Sequence, residues 1–335
     1  MRLSLILLAT VNACTRLLYE TGDGNYIVGR SMDWFECLGS DLWSFPRGMS
    51  RDGGTGPKAL AWTSKYGSVV VDAYDIAATD GMNEKGLVGN VLYLAEAEYG
   101  DADPDKPQIS IGAWLQYILD SFATVAEAVA ALEQEPFVII APMLPNGKTA
   151  SAHISLADDA GDSAIFEYVA GRLVVHHGSG YAVMTNSPTF DKQLAITAYW
   201  NEVGGLNALP GTHRAADRFA RASWNLAHVP HVNGTLAVAT VFSLIRGVSV
   251  PLGIADPAKP NIAATLWRTV SDTGARRYFF ESSFATSVFW VDVPKLDLAP
   301  GAAPRKLAVS AALAGEVSGA FVPAEPFTYL SHHAA

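Results

Sequence analysis

The chain has 335 residues, half of them hydrophobic, and carries 33 acidic against 23 basic side chains for a formal charge of −10. That length allows one large domain or two, and the acidic balance leaves no basic footprint for nucleic acid. The two cysteines, Cys14 and Cys37, are too few for a disulfide framework, and Cys37 reads as a small buried hydrophobe.

In chain order, Met1 and Arg2 make a minimal positive start, Leu3 to Val11 an apolar stretch, and Val11-Asn12-Ala13 a small-residue cleavage site. Residues 1–13 therefore read as a leader that is removed, leaving 14–335 as a single domain in the periplasm or outside the cell. The leader is short against the usual length of about 15–30 residues. A signal peptide with a truncated start and a propeptide removed by self-cleavage both remain open, and a lipid-anchored Cys14, as in a ligand-binding protein without catalysis, is a third reading. The strand-like Thr15–Glu20, with no flexible tether, argues against that third reading. Beyond the leader no apolar run approaches the roughly 20 residues that span a bilayer.

Short β-like runs follow at Thr15–Thr21, Tyr26–Arg30, Ala59–Thr63, Ser68–Tyr74 and Gly86–Tyr93, with Gly22 to Asn25 as a hairpin turn. Apolar residues at helical spacing predict a helix over Ile111–Leu132, with Thr124 as a cap. Strands are expected again at Phe137–Pro142, His153–Leu156, Ala164–Val169, Arg172–His176 and Tyr181–Thr185. Helices come next near Phe190–Asn201, Arg214–Ala227 and Leu236–Ile245, then strands at Ala264–Val270, Arg276–Ser282 and Ser287–Asp292. Such blocks point to an α+β arrangement of sheets covered by helices.

Cys14 carries the chemistry. Cutting the Ala13–Cys14 bond would place a thiol and a free α-amine on one residue. A free thiol has a pKa of about 8.5 and an α-amine about 7.7–8.0, so near neutral pH the amine can take the thiol proton. The sulfur can then attack an amide carbonyl, and the same nitrogen can return the proton to the leaving amine.

Cys14-Thr15-Arg16 followed by Gly29-Arg30-Ser31-Met32-Asp33-Trp34 resembles the opening of the choloylglycine hydrolase family, which includes penicillin V acylases and conjugated bile salt hydrolases. Further blocks continue the resemblance in order: Gly81 to Leu87, Val183 to Asp191, Leu209-Pro210-Gly211 with Arg218-Phe219, and Val248 to Gly253. It implies the four-layer αββα sandwich of N-terminal-nucleophile hydrolases, a small-molecule amide substrate, an acyl-thioester intermediate, and neither metal nor organic cofactor. In such a site Cys14 is nucleophile and base. Arg30 lies close to the thiol, where a cation favours thiolate, and Asp33 holds the α-amine by a charge-assisted bond. Asn186 and the backbone N–H of Tyr93 receive the oxyanion, a donor of this kind being worth about 3–4 kcal/mol. Arg218 fixes the cysteine end of the site. Trp34, Met82 and Phe190 are candidates for the pocket wall.

Two departures bear on the branch. Arg214-Ala215 stands where the family has Ser-Ser, and the interval from Asn186 to Arg218 lacks the arm that locks a tetramer in Gram-positive members. A homo-oligomer stays open, that tetramer less so. With the leader and Ser31 to Trp34, the chain looks more like the Gram-negative branch, where penicillin V and long-chain N-acyl homoserine lactones are substrates; conjugated bile salts are the alternative. His176-His177 lacks a carboxylate or third ligand at metal spacing and reads as a surface or strand-edge pair.

Overall fold

The structure is a computed structural model that describes residues 14–101, 103, 105–204, 208–254 and 263–331; the leader 1–13 lies outside the described residues. Two large sheets carry the fold. The seven-stranded sheet runs, from one edge, Val183–Met184, Thr15–Glu20, Tyr26–Trp34, Ala264–Asp272, Arg277–Ser282, Val288–Asp292, Gly315–Glu316. The nine-stranded sheet runs Arg172–His177, Ser163–Val169, His153–Ala157, Val88–Leu92, Ala77–Asn83, Ser68–Ala73, Leu42–Phe45, Arg305–Leu307, Val322–Pro323.

The central strands of these sheets are buried on both faces, and the strand Ser68–Ala73 shows why. Its run of three valines has no polar face to offer water, so Val69 and Val71 join the core between the sheets while Val70 joins a second core beneath helices. That second core is roofed by α1 (Ile111–Ser121) and α2 (Val125–Leu132). Two glycines let α1 approach: a Cβ at Gly81 would lie 2.6 Å from Val69 O and 3.0 Å from Leu119, and one at Gly89 would overlap Leu115. On the far side of the other sheet lie α3 (Phe190–Val203), α4 (Ala215–His228) and α5 (Gly234–Arg246); Phe219, Val241 and Ile245 pack into the inter-sheet core's outer layer. The result is the expected αββα sandwich.

The sequence reading differs in places. The single helix expected over Ile111–Leu132 is two helices, because Thr124 caps a new one: its Oγ1 accepts from Glu127 N at 3.2 Å while Glu127 Oε2 reaches back to accept from Ala123 N, just before the cap, at 2.8 Å. The strand expected to stop at Arg30 runs on to Trp34. Cys37 is exposed, not buried, and neither cysteine is in a disulfide. Among the described residues no helix is long and apolar enough to cross a membrane, and no group of His, Cys, Asp and Glu is placed to hold a metal ion.

Candidate active site

Pairing sets the site. Thr15 lies opposite Ser31, which brings Cys14 alongside Met32, its Sγ 3.8 Å from Met32 Sδ and donating to Asp33 O at 3.8 Å. Side chains alternate along a strand, so Arg30 and Asp33, three residues apart, leave opposite faces of the sheet. Arg30 projects toward the second sheet, with Nη2 3.9 Å from Cys14 Sγ and donating to Val91 O at 3.0 Å. Asp33 turns the other way and accepts from Thr265 Oγ1 at 2.5 Å.

The cysteine backbone is gripped from the helical side. Arg218 on α4 donates through Nη1 to Cys14 O at 2.6 Å and to Thr15 Oγ1, through Nη2 to Asn186 Oδ1 at 2.9 Å, and through Nε to His213 O at 3.0 Å. Asn186 Oδ1 also accepts from Cys14 N at 2.5 Å, and Asn186 Nδ2 donates to Tyr93 O at 2.7 Å. Oδ1 meets two donors and Nδ2 a carbonyl, so one amide orientation satisfies all three. With residues 1–13 attached, Cys14 N is a peptide nitrogen whose one N–H goes to Asn186; Asp33, expected to hold the freed amine, accepts here from Thr265 and Ser31.

Electrostatics follow from burial. Cys14, Arg30, Asp33, Asn186 and Arg218 are all buried. Desolvation pushes the Cys14 thiol up, against the pull of Arg30 and with the repulsion of Asp33, so the sulfur rests as a thiol until a base takes its proton. Burial also raises the Asp33 carboxyl to about 6, opposed by Arg218, the Thr265 bond and Arg30, and it lowers Arg218.

Three supporting groups escaped the sequence reading. Asp80 stands 3.8 Å from Arg30 Nε, accepting from Asn90 Nδ2 at 2.7 Å and from Tyr278; it precedes the Gly81 block by one residue, which was the available signal. Gln193 donates to Asn186 O at 2.9 Å and to Thr185 Oγ1 at 3.1 Å. Behind them His153 spans Glu167 Oε1, at 2.9 Å from Nδ1, and Thr185 O, at 2.8 Å from Nε2, and Glu167 accepts from Phe190 N at the start of α3. His176 and His177 stand on an edge strand, one of the two places expected for them; His176 is buried beside Glu167 at 3.7 Å, whereas His177 is exposed and bonded to Asp162. Nothing local in the sequence pairs His153 with Glu167.

Cys14 forms part of the wall of a cavity of about 110 Å³ whose other walls include Met32, Trp34, Tyr74, Leu92, Tyr93, Ile111 and Leu144. Trp34 is therefore on the wall as expected. Met82 and Phe190 are not. Met82 points into the inter-sheet core, opposite Val69 and Val88, and Phe190 packs against His176, Tyr181 and Phe219 under α3.

The model of the linear amide C–N hydrolases, choloylglycine hydrolase family, matches residues 14–304. A penicillin V acylase from Pectobacterium atrosepticum is 47% identical, the match covering 95% of this chain and 92% of the relative. A bile salt hydrolase/transferase from Clostridium perfringens is 28% identical over 72% of this chain and 80% of its own. The solved penicillin V acylase of Agrobacterium tumefaciens superposes with a TM-score of 0.88 at 50% identity, covering 95% of this chain and all of that one.

Proposed function

The chain belongs to the choloylglycine hydrolase family of linear amide C–N hydrolases, and from that premise we propose that Cys14, freed of residues 1–13 after export, hydrolyses small amides whose acyl group is aryloxy or alkyl, with penicillin V and N-acyl homoserine lactones as the leading substrates. The α-amine takes the thiol proton, Sγ bonds to the carbonyl carbon, and the same nitrogen returns the proton as the C–N bond breaks and the amine departs. Water then attacks the thioester carbonyl as the amine takes its proton, the C–S bond breaks to release the carboxylic acid, and the amine returns the proton to sulfur. Arg30 and Arg218 offset the cost of forming thiolate in a dry site. Ionised Asp33 adds negative charge that favours the ammonium form of the amine. Asn186 Nδ2 has two N–H bonds; one is taken by Tyr93 O, and the second serves the oxyanion together with the Tyr93 backbone.

The observation that carries this reading is that Cys14 presents its sulfur to an apolar cavity while its nitrogen and carbonyl are both held, at 2.5 and 2.6 Å, by Asn186 and Arg218. The cavity size favours the acyl choice. At about 110 Å³ it lies nearer the roughly 150 Å³ space that takes one benzene ring than the about 300–1,000 Å³ of sites for larger ligands, which suits a phenoxy or short alkyl group better than a steroid.

The test is a hydrolysis panel of penicillin V, glycodeoxycholate and N-acyl homoserine lactones with wild type and Cys14→Ala, alongside N-terminal sequencing of secreted protein. The expectation is a sequence starting at Cys14, turnover of penicillin V or a lactone, and a loss of more than about 10³-fold in kcat for Cys14→Ala. A blocked or lipid-modified terminus, or full activity in Cys14→Ala, overturns the mechanism.

A further inference from the structure

One part of the cavity wall is held by a polar device that the hydrolytic chemistry does not use. Residues 142–150 leave the sheet as a small hairpin: Ala150 N donates to Pro142 O at 3.1 Å, Leu144 N to Lys148 O at 2.7 Å, and Gly147 N to Leu144 O at 2.9 Å. The sequence makes this tip by itself. Pro145 presets the first turn position, the Asn146 side chain accepts from Lys148 N at 3.0 Å, and Gly147 takes a φ of 76°. Leu144 points inward and forms cavity wall, and so do Ala150, Ser151 and Ala152 at its base.

Asn146 ties the tip to the rest of the molecule. Its Nδ2 donates to Glu36 Oε1 at 2.8 Å and to Tyr74 Oη at 3.2 Å. Tyr74 donates to the same Glu36 oxygen and accepts from Trp34 Nε1 at 2.9 Å. Lys148 adds a cation over the Phe35 ring at 3.8 Å. Three separate segments thus meet at one phenol: the end of the strand carrying Trp34, the turn at Tyr74, and the hairpin tip. Tyr74 and Asp75 sit at φ 55° and 57°, a left-handed pair that side chains with a Cβ adopt only when the surroundings impose it. That turn aims the Tyr74 ring at the cavity and its hydroxyl at Glu36.

We infer that Glu36, Tyr74 and Asn146 form a latch that sets the acyl-size limit of the enzyme, holding the 142–150 hairpin down so that the closed cavity admits an aryloxy or short alkyl group and a long chain binds only when the hairpin lifts. This rests on the reading that the cavity holds the acyl group. The hairpin's own bonds survive lifting, because they lie within 142–150, so the latch contacts and Leu144 packing are what separate open from closed. A ligand that needs the open state binds with an affinity reduced by the open fraction. Removing the latch restores that factor, about tenfold if the hairpin is open a tenth of the time.

Asn146→Ala deletes the tie at a solvent-facing tip, and Glu36→Gln keeps the shape while removing the charge. Both are compared with wild type on N-dodecanoyl and N-hexanoyl homoserine lactone, and by calorimetric titration with dodecanoate and hexanoate. The long-to-short ratio of kcat/KM rises by about tenfold in Asn146→Ala and by a smaller factor in Glu36→Gln, and dodecanoate tightens relative to hexanoate by the same ratios. Ratios within about twofold of wild type in both variants, with unchanged thermal midpoints, overturn the latch. If no protein turns over either lactone, the substrate reading fails separately and the two carboxylates decide: preferential tightening of dodecanoate keeps the latch, equal affinities reject it.

Discussion

The catalytic corner and the cavity wall share Cys14 but are built on opposite principles. In the corner, five functional side chains are buried, four of them on a strand, at a strand end or on a helix and Asn186 two residues past a strand, and Asn186 and Arg218 brace the cysteine backbone and one another. The wall opposite is a hairpin tip and a turn, half-buried, with Met143 at 66% exposure and one polar cluster linking tip to body. Charges in a desolvated site are tolerated only when fixed and paired, so chemistry demands the rigid half. Few buried apolar contacts and exposed backbone mark regions that open at low cost, so selectivity falls to the other half.

The sharpest way to break the comparison is Arg218→Ala. It leaves the carbonyl oxygens of Cys14 and His213, the Thr15 hydroxyl and Asn186 Oδ1 without a guanidinium donor. We expect a stability loss of about 3–5 kcal/mol by denaturant titration and a fall in kcat of roughly 10³-fold. Arg218→Lys recovers little of either, since one ammonium cannot serve several acceptors with a planar fork. A loss below about 1 kcal/mol, the level of surface pairs, would mean the corner is no more cross-braced than the wall.

Asp33→Asn comes next and has a pH signature. Burial raises the folded carboxyl to about 6 from its ordinary 3.8, so the folded state binds this proton more tightly than the unfolded chain. Stability from this group is therefore greatest below about pH 4 and declines as pH climbs to about 6, by about 3 kcal/mol in all. Asp72, raised by burial to about 7, titrates in an overlapping window, so the quantity to read is the difference between wild type and variant. Asp33→Asn flattens that decline and removes the rise in activity that wild type shows as Asp33 ionises near pH 6. Parallel stability curves from pH 4 to 7 would show that Asp33 does not carry a raised folded pKa.

Glu167→Gln probes the layer behind the corner. Burial favours protonation of Glu167, yet the hydrogen bond from His153 and the nearby His176 ring hold it at about 2. Its contribution is present above the ordinary carboxylate pKa and lost only as pH falls through about 2, so at neutral pH the substitution costs about 2–3 kcal/mol. Because His153 also bonds Thr185 O, one residue before Asn186, kcat should fall about tenfold with KM nearly constant. A change confined to KM would place this pair outside the corner.

Much of the corner was legible because its residues lie where pattern is strong. Arg30, Asp33, Asn186 and Arg218 all sit in blocks that resemble the family; the β-like run was expected to end at Arg30, and the placement of Arg30 and Asp33 on opposite faces of one strand was therefore not legible. The bond from the Cys14 peptide nitrogen to Asn186 was not legible, since it joins residues 172 apart in sequence and depends on how Arg218 of α4 holds the Asn186 side chain. Met82 belongs to a motif-like block, yet block membership does not say which face of the sheet a side chain takes. In the fold, the succession of elements pointed only to sheets covered by helices; the αββα layering came with the family resemblance. The continuous apolar stripe hid the break before Thr124, and short strands such as Leu42–Phe45 carried too little alternation to register. The wall was read at Trp34 alone; its other parts are a turn and a loop tip whose inward side chains are chosen by tertiary contacts.

Trp34→Phe carries the smallest expected effect and bears on where the corner ends. The ring touches both halves, lying edge-on to Tyr93 at 6.0 Å and donating from Nε1 to Tyr74 at 2.9 Å. Phenylalanine keeps an aromatic surface and removes that donor. Tyr74 retains its bonds to Glu36 and Asn146, so the loss should stay near 1 kcal/mol in stability. Arg30, Asp33, Asn186 and Arg218 make none of their bonds to the indole, so kcat for a short-chain substrate should change by less than about threefold, a shift under about 0.7 kcal/mol in the barrier. A much larger fall in kcat would mean that the aromatic wall positions the scissile bond as well as sizing the acyl group, and the boundary between the halves would then run through Tyr74 instead of through Trp34.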